Sequence, residues 1–553
     1  MRFLAFMRCC LKVNGRPTHM QAMESAEEIV IKNRTQIAPK VIAYLETHDY
    51  REPLLLALPV GSGKTYTTIH HVVPWAVERK LQVLFISSRS AINLQVKEEL
   101  LNVVGLTNLR RQLTDEGLSK QEEFGPVTVM TYHKLGILLQ REPDTLKKYG
   151  VVVFDEVHAL LEDANFVGKT GFILEEFVRV FGGAQRIYMT ATPQDIQPVL
   201  ADNEGYCQLT VMKLKNDFSY VDIHFFSHRE QIINFINNDL GDRKWLFFIN
   251  SIKQGDKVEE KLKHDCCRIN AKVREDEPDA WNQIIKARKF DEKVCIMTAA
   301  GDAGLSFEDK LLTNIVIYTF SPITLIQVLG RIRRQTKEKI NLYVYCPRLE
   351  EMQCRLNQIW EMIGILSSFH EHKADFVSKY ILECDPFDLR NVVYLERDGE
   401  QELNFLALKK CFVEEERISR MIKYGERNKE QYCFERFVCR WLGQPVPDHA
   451  DSWLDDNISG YAREEFQVFM STYKNIPMDK EMFEDFSKEF QKKCIASFGR
   501  EKSDRTDRIW GEQKINDKLR RNSQPYELIY DNQKKIYTVK PIVNSPKDNE
   551  KEE

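Results

Sequence analysis

The sequence of 553 residues holds no apolar run approaching the ~18–20 residues that a membrane-spanning helix needs. The longest run near the start, Leu54 to Val60, is far too short. The opening, MRFLAFMRCC, does not read as a secretory leader, because Arg8 interrupts the apolar stretch after five residues. Met20 and Met23 are plausible alternative starts, and residues 1–29 are read as an N-terminal extension. The 13 cysteines are odd in number and contain no CxxC pair, so neither a zinc site nor a disulfide framework is indicated. Free thiols in a reducing cytosol are expected, hence a cytoplasmic location. Net charge is also scarce: 79 Lys and Arg oppose 83 Asp and Glu, for a formal −4. That balance excludes a protein that coats nucleic acid through bulk positive charge, but leaves room for one local basic channel.

What is present is the composition of an ordinary globular chain, 43% hydrophobic and 29% charged. At roughly 150 residues per domain, three to four domains are expected. Short, nearly continuous apolar runs mark strands at 54–58, 82–87, 127–132, 151–155 and 186–192, with helical patterns between them at 66–79 and 91–103. Strands buried on both faces of a parallel sheet read this way, so this is an α/β domain. A second set at 220–226, 245–250, 268–270, 294–299, 314–320 and 341–346 predicts a second one. The expected boundaries are 30–212 for the first domain, 213–219 for a linker and 220–348 for the second. Residues 349–540 form a mainly helical accessory region, and 541–553, ending SPKDNEKEE, a disordered tail.

Three motifs carry chemistry. Leu58-Pro-Val-Gly61-Ser62-Gly63-Lys64-Thr65 follows a buried strand and opens a helix, the context a phosphate-binding loop requires. Its backbone N–H groups would close on phosphate oxygens, Lys64 would reach the β- and γ-phosphates, and Thr65 would ligate Mg²⁺. Leu58 stands at the first glycine position of the full pattern, and a plain glycine-rich turn is the bland alternative. Val151-Val-Val-Phe-Asp155-Glu156-Val157-His158 delivers two adjacent carboxylates from a strand end, Asp155 for Mg²⁺ and Glu156 as general base. A solvated strand end is the alternative. Gln327-Val-Leu-Gly330-Arg331-Ile-Arg333-Arg334 offers guanidinium groups suited to phosphate oxygens, or else a basic helix start facing solvent.

With Thr190-Ala191-Thr192 between the second and third, these motifs in this order resemble motifs I, II, III and VI of superfamily 2 helicases over about residues 30–350. The resemblance implies two tandem RecA-like domains, parallel sheets flanked by helices, that bind ATP with Mg²⁺ in the cleft between them. It implies that Arg331 and Arg334 reach the γ-phosphate, with Gly304 and Gln327 as further nucleotide contacts. Thr190, Thr192 and His158 would couple the nucleotide to the nucleic acid. Gln36 sits where many relatives read adenine. Nucleic acid contacts are expected from Arg89, Thr131, Asn250 and Thr298, in loops on the opposite edge of both sheets; each is otherwise a polar cap at a strand end. His158 makes the motif DExH rather than DEAD. Motif V, TAAGDAGLSF, carries Ser306 where many relatives have aspartate. With GLSFED, SSR and QVLGRIRR, its wording resembles helicases called replication origin-binding proteins.

The expected activity is ATP-dependent movement along a single strand, most of all of DNA. A DExH RNA helicase, or a nucleotide-gated binding module with little motor activity, are the alternatives. Residues 491–540 hold 13 Lys and Arg against 7 Asp and Glu. There Trp510 and Phe498 interleave with basic residues, read first as a solvated helix with one core tryptophan. The segment from Ile515 to Arg521 reads equally as part of a small DNA-binding unit or an anchor for a protein partner.

Overall fold

The computed structural model describes residues 27–541 apart from 50–51, 89, 106–113, 206–208, 271, 274–283, 285–286, 299–305, 334–338, 385–388, 396–398, 448–451, 455–465, 467, 499–507 and 523. The first domain is built on β1 (Glu28–Ile31), β2 (Leu54–Ala57), β3 (Gln82–Ser87), β4 (Glu123–Phe124), β5 (Val127–Thr131), β6 (Tyr149–Phe154), β7 (Gln185–Thr190) and β8 (Thr210–Leu214). They lie in the order β1-β8-β2-β7-β6-β3-β5-β4, all parallel except β4. Strand alternation splits each apolar run between two cores. Leu55, Leu84, Val152 and Tyr188 face one, and Leu54, Leu56, Phe85, Val153 and Met189 face the other. The five expected strands are all present.

Two strands escape the apolar-run reading. β1 starts inside the segment taken as an extension. β8 runs to Leu214, two residues into the segment taken as a linker, because Lys213 and Leu214 lie half-exposed next to the edge strand. The second domain holds β9 (Val221–Phe226), β10 (Lys244–Phe248), β11 (Cys266–Ile269), β12 (Val294–Met297), β13 (Leu312–Ile317) and β14 (Ile340–Tyr345), all parallel, in the order β11-β12-β10-β13-β14-β9. The two tandem parallel-sheet domains match the RecA-like expectation.

The accessory region is helical and braces both domains. The helix Leu349–Ser367 packs against the helix Phe405–Asn428. Asn404 caps the latter. Fully buried, it accepts from Gly171 N at 2.9 Å and donates to Ala164 O (2.8 Å), Val167 O (3.1 Å) and Thr170 Oγ1 (2.8 Å). Further along this helix Arg417 pairs with Asp195, which lies just past Thr192. A short hairpin, β15 (Val393–Leu395) and β16 (Gln401–Leu403), leads into it. Near the end, β17 (Pro477–Met478), β18 (Tyr526–Asp531) and β19 (Ile536–Pro541) form a second small sheet. These strands were not legible as apolar runs, since Leu528 and Val539 are the buried residues of the two longer ones. Among the described residues every cysteine is a free thiol, and no helix is long and apolar enough to cross a membrane.

Candidate nucleotide cleft and nucleic-acid edge

β2 ends at Ala57, and the loop that follows turns at Gly61 and Gly63, whose φ values of 68° and 98° suit glycine. The Arg333 guanidinium arriving from the second domain lies directly over Gly61, where an added Cβ would push it aside. A helix then starts at Lys64 (Lys64–Thr67), passes through a π turn at Thr68–Val72 and resumes over Val73–Glu78. Lys64 is buried, and its Nζ donates to Leu58 O at 2.9 Å and Pro59 O at 3.1 Å. Burial holds the lysine below its ordinary pKa, with Glu156 and Asp155 acting to raise it again.

The carboxylate pair is set by sheet hydrogen bonds on both sides. Asp155 N donates to Ile86 O (2.8 Å) and Val157 N to Met189 O (3.0 Å). Glu156 between them takes a left-handed backbone at φ 48°, a conformation that costs ~1–3 kcal/mol in a non-glycine residue. Asp155 is 3% exposed. Burial first, then the adjacent Glu156, push it up to about 7, against Lys64 and the Glu156 N–H, which favour the charged form. Glu156 Oε2 is buried without a hydrogen bond. His158 Nδ1 lies 3.3 Å from it, and its hydrogen bond goes instead to Thr190 Oγ1 at 3.1 Å. Thr190 Oγ1 also accepts from Thr192 N (3.0 Å), and Thr190 O accepts from Leu58 N (3.1 Å). His158, Thr190 and Thr192 therefore form one buried link between the carboxylates and the phosphate-loop strand.

From the second domain comes the helix Pro322–Arg331, capped by Ser321. It stops because Phe307 captures the chain beyond it: Phe307 N donates to Arg331 O (2.7 Å) and Arg333 N to Phe307 O (2.8 Å). In this extended stretch side chains alternate. Ile332 turns inward and is buried, which puts Arg331 and Arg333 on the other side together. Both line a cleft of about 340 Å³ with Gly61, Gly63, Lys64, Thr65, Asp155, Glu156 and Gln327. Gly330 closes on Val60 so tightly that a Cβ there would lie 2.6 Å from Val60 Cγ1. Partial burial, then Arg331 and Arg288, draw Arg333 below its ordinary pKa, so this cluster of cations favours an anion. Sequence reasoning named Arg331 and Arg334 and passed over Arg333. The two-residue period of an extended segment after the helix was the signal that could have found it. Ser62 Oγ and Gln327 Nε2 are buried without hydrogen bonds.

A nucleoside triphosphate with Mg²⁺ fits this donor set. The oxygen ligands of Thr65 and Asp155 suit that ion, and two adjacent carboxylates against one buried lysine leave negative charge to be met. Gln36 does not line the cleft; its carboxamide oxygen accepts from Lys32 N at 3.1 Å. A neighbouring pocket of about 420 Å³, sharing Val60 and Gly330, is lined instead by Asn33, Arg34, Pro59 and Tyr220. Ser306 lines the cleft. Arg89, Gly304 and Arg334 lie outside the described residues.

Thr131, Asn250 and Thr298 do not stand on the edge opposite the phosphate loop, as was expected of them. Because the strands are parallel, Thr131 at the end of β5 lies on the same carboxyl edge as the phosphate loop after β2, displaced sideways along the sheet. Asn250 after β10 and Thr298 after β12 likewise share the carboxyl edge of the second sheet. Asn250 is exposed. Thr298 Oγ1 is buried without a partner, and Thr131 Oγ1 caps the helix Tyr132–Arg141 by accepting from Lys134 N.

Residues 13–195 match the family model described as Type III restriction enzyme, res subunit. The chain is 23% identical over 158 residues to the ATP-dependent DNA helicase Hel308 of Aeropyrum pernix, a match covering 28% of this chain and 21% of that protein. It thus spans about a fifth of that relative's length. Among solved structures, S. cerevisiae Dbp5 bound to RNA and ADP BeF3 overlaps 56% of this chain and 83% of its own, with 15% identity and a TM-score of 0.42. Mycobacterium smegmatis helicase Lhr bound to ssDNA and AMP-PNP overlaps 92% of this chain and 59% of its own, with 14% identity and a TM-score of 0.41. The sequence matches bear out the resemblance to superfamily 2 helicases, a class defined by two RecA-like domains around one nucleotide cleft.

Proposed function

We propose that the chain is an ATP-dependent helicase or translocase that moves along single-stranded DNA. The observation that carries this reading is the meeting of two half-sites: Arg333 and Gly330 of the second domain lie directly over Gly61 and Val60 of the first. A catalyst assembled from two domains turns over only when they close, which ties hydrolysis to domain movement. Mg²⁺ supplies charge neutralisation between the phosphates when bound. Thr65 and Asp155 would hold it, Lys64 would leave the loop carbonyls for the phosphates, and Arg331 and Arg333 would meet the charge that develops on the transferred group. Glu156 would orient and deprotonate the attacking water. The link from His158 through Thr190 to Thr192 would carry the state of the cleft along the carboxyl edge towards Asn250, Thr298 and Thr131. DNA is favoured over RNA by the motif V and VI wording that resembles origin-binding proteins. A cytoplasmic setting accords with the free thiols.

The test is ATP hydrolysis measured with single-stranded DNA, duplex DNA, RNA and no polymer, alongside strand displacement. Single-stranded DNA should stimulate most. Equal rates in all four would overturn the motor reading, and stimulation by RNA alone would transfer it to the RNA helicases.

A further inference from the structure

Residues 466–541 have an apolar core of their own, built on Phe466, Met470, Phe486, Phe490, Trp510, Leu519, Leu528 and Val539. Their elements follow the order helix (468–472), β17, helix Lys480–Phe498, helix Glu512–Arg521, β18, turn, β19, with the sheet ordered β17-β19-β18 and antiparallel. That is a winged helix: three helices against a three-stranded sheet whose last two strands project a hairpin beside the third helix. We propose that this unit binds duplex DNA, with the helix Glu512–Arg521 in the major groove and the β18–β19 turn on the flanking phosphates. The choice of DNA over RNA rests on the function proposed above; the duplex-binding geometry does not.

The third helix is fixed to the hairpin. Asn516 is buried and exchanges two bonds with Leu528, Nδ2 to O at 2.8 Å and N to Oδ1 at 2.7 Å, while Tyr530 N donates to Glu512 Oε1 at 3.2 Å. The strand therefore runs back along the helix, and the turn tip projects past the helix start. At that start Gln491 Nε2 donates to Arg508 O (2.9 Å) and Ser487 Oγ to Trp510 O (2.8 Å), which anchors the entry to the second helix. Lys514 and Lys518 lie over the buried Trp510 ring. The outward positions are Gln513, Asp517 and Arg520, one face at helical spacing and all polar. The tip exposes Asn532, Gln533, Lys534 and Lys535, with Asp531 Oδ1 accepting from Gln533 N and Lys534 N.

Charge and size select the occupant. Residues 508–541 carry eight Lys and Arg against four Asp and Glu, inside a chain whose net charge is −4. An α-helix about 10–12 Å across with its side chains fits a groove about 12 Å wide, and ten residues give it a length of about 15 Å along that groove. Amide and guanidinium groups on its outer face suit base edges, and lysines on the tip suit phosphates. That face, at Gln513, Asp517 and Arg520, has no apolar side chain to offer a protein helix; the exposed Val468, Ile476, Met482, Ile509 and Ile529 stand at other positions of the unit.

The full chain should be titrated, without nucleotide, against a two-turn DNA duplex, the same sequence single-stranded, and the equivalent RNA duplex. Lys534→Glu with Lys535→Glu should weaken duplex DNA binding by about tenfold or more and lower the salt dependence by about two phosphate contacts. Arg520→Ala should weaken it several-fold. Neither variant should change ATP hydrolysis at saturating single-stranded DNA, which also shows that the chain is folded. Unchanged duplex affinity in both variants would overturn the proposal, as would equal binding of duplex RNA. A wild-type chain that binds duplex DNA through these residues yet lacks DNA-stimulated hydrolysis would sink the motor reading and leave this one standing.

Discussion

Asp155 is held at about 7 by burial and by Glu156, far above the ordinary carboxylate range. A carboxyl group whose folded pKa is raised takes up protons on folding, so its contribution to stability falls as pH rises from about 4 to about 7. Above that window the charge is present, buried and repelled by Glu156. Asp155→Asn removes it. In metal- and nucleotide-free protein at pH 8 the variant should melt at a higher temperature than the wild type, with the gap closing by pH 5; thermal melts across that range check both the sign and the window. Its hydrolysis should be lost, as for Lys64→Ala and Glu156→Gln, each of which should reduce ATP turnover to background in a steady-state assay. Arg333→Ala should lower kcat by roughly a hundredfold or more with a smaller effect on KM, because a guanidinium that meets developing charge acts in the transition state. Unchanged kcat would assign the phosphate contact to Arg331. Lys64, Asp155 and Glu156 were legible from sequence, because strand-end motifs depend on local spacing. Arg333 was not, because its direction depends on Phe307 capturing the chain from 26 residues earlier.

The helix Phe405–Asn428 is an element whose role depends on what it touches. Its cap, Asn404, fills four polar vacancies in the first domain, at Gly171, Ala164, Val167 and Thr170. Asn404→Ala leaves Gly171 N–H and Ala164 O buried without this partner, while Val167 O keeps Thr170 N, and should destabilise the chain by about 2–4 kcal/mol in urea unfolding. Arg417, reaching Asp195 three residues beyond Thr192, places the same helix against the link between cleft and carboxyl edge. Strands β2, β3, β5, β6 and β7 were readable because each is short, apolar and buried on both faces. β1, β18 and β19 were not, because an edge or a one-sided sheet leaves too few buried positions to make a run, and β8 was not, because only Thr210, Val211 and Met212 of it are buried.

At the scale of the whole molecule, one continuous core joins both α/β domains to the accessory helices, from Leu55 through Leu246 and Met421 to Trp453. The winged helix keeps a separate core. Calorimetry should therefore resolve two transitions, a large one for the joined domains and a smaller one for residues 466–541. Lowering the second with Leu528→Ala, a loss of about 2–4 kcal/mol from that core, should leave the first in place. A single transition that shifts as a whole would mean that the two cores unfold together.

The sequence by itself determined the two sheets, the glycine loop after β2 and the carboxylate pair that follows β6. Each depends on residues close in the chain: an apolar run, a glycine at a left-handed turn, two acids at a strand end. Only the tertiary structure decided that Arg333 faces the loop, that Thr131, Asn250 and Thr298 stand on the carboxyl edges of the sheets, and that a scatter of basic and aromatic residues near the end is a winged helix. Those depend on contacts between segments far apart in the chain, where periodicity carries no signal and packing chooses the direction of each side chain.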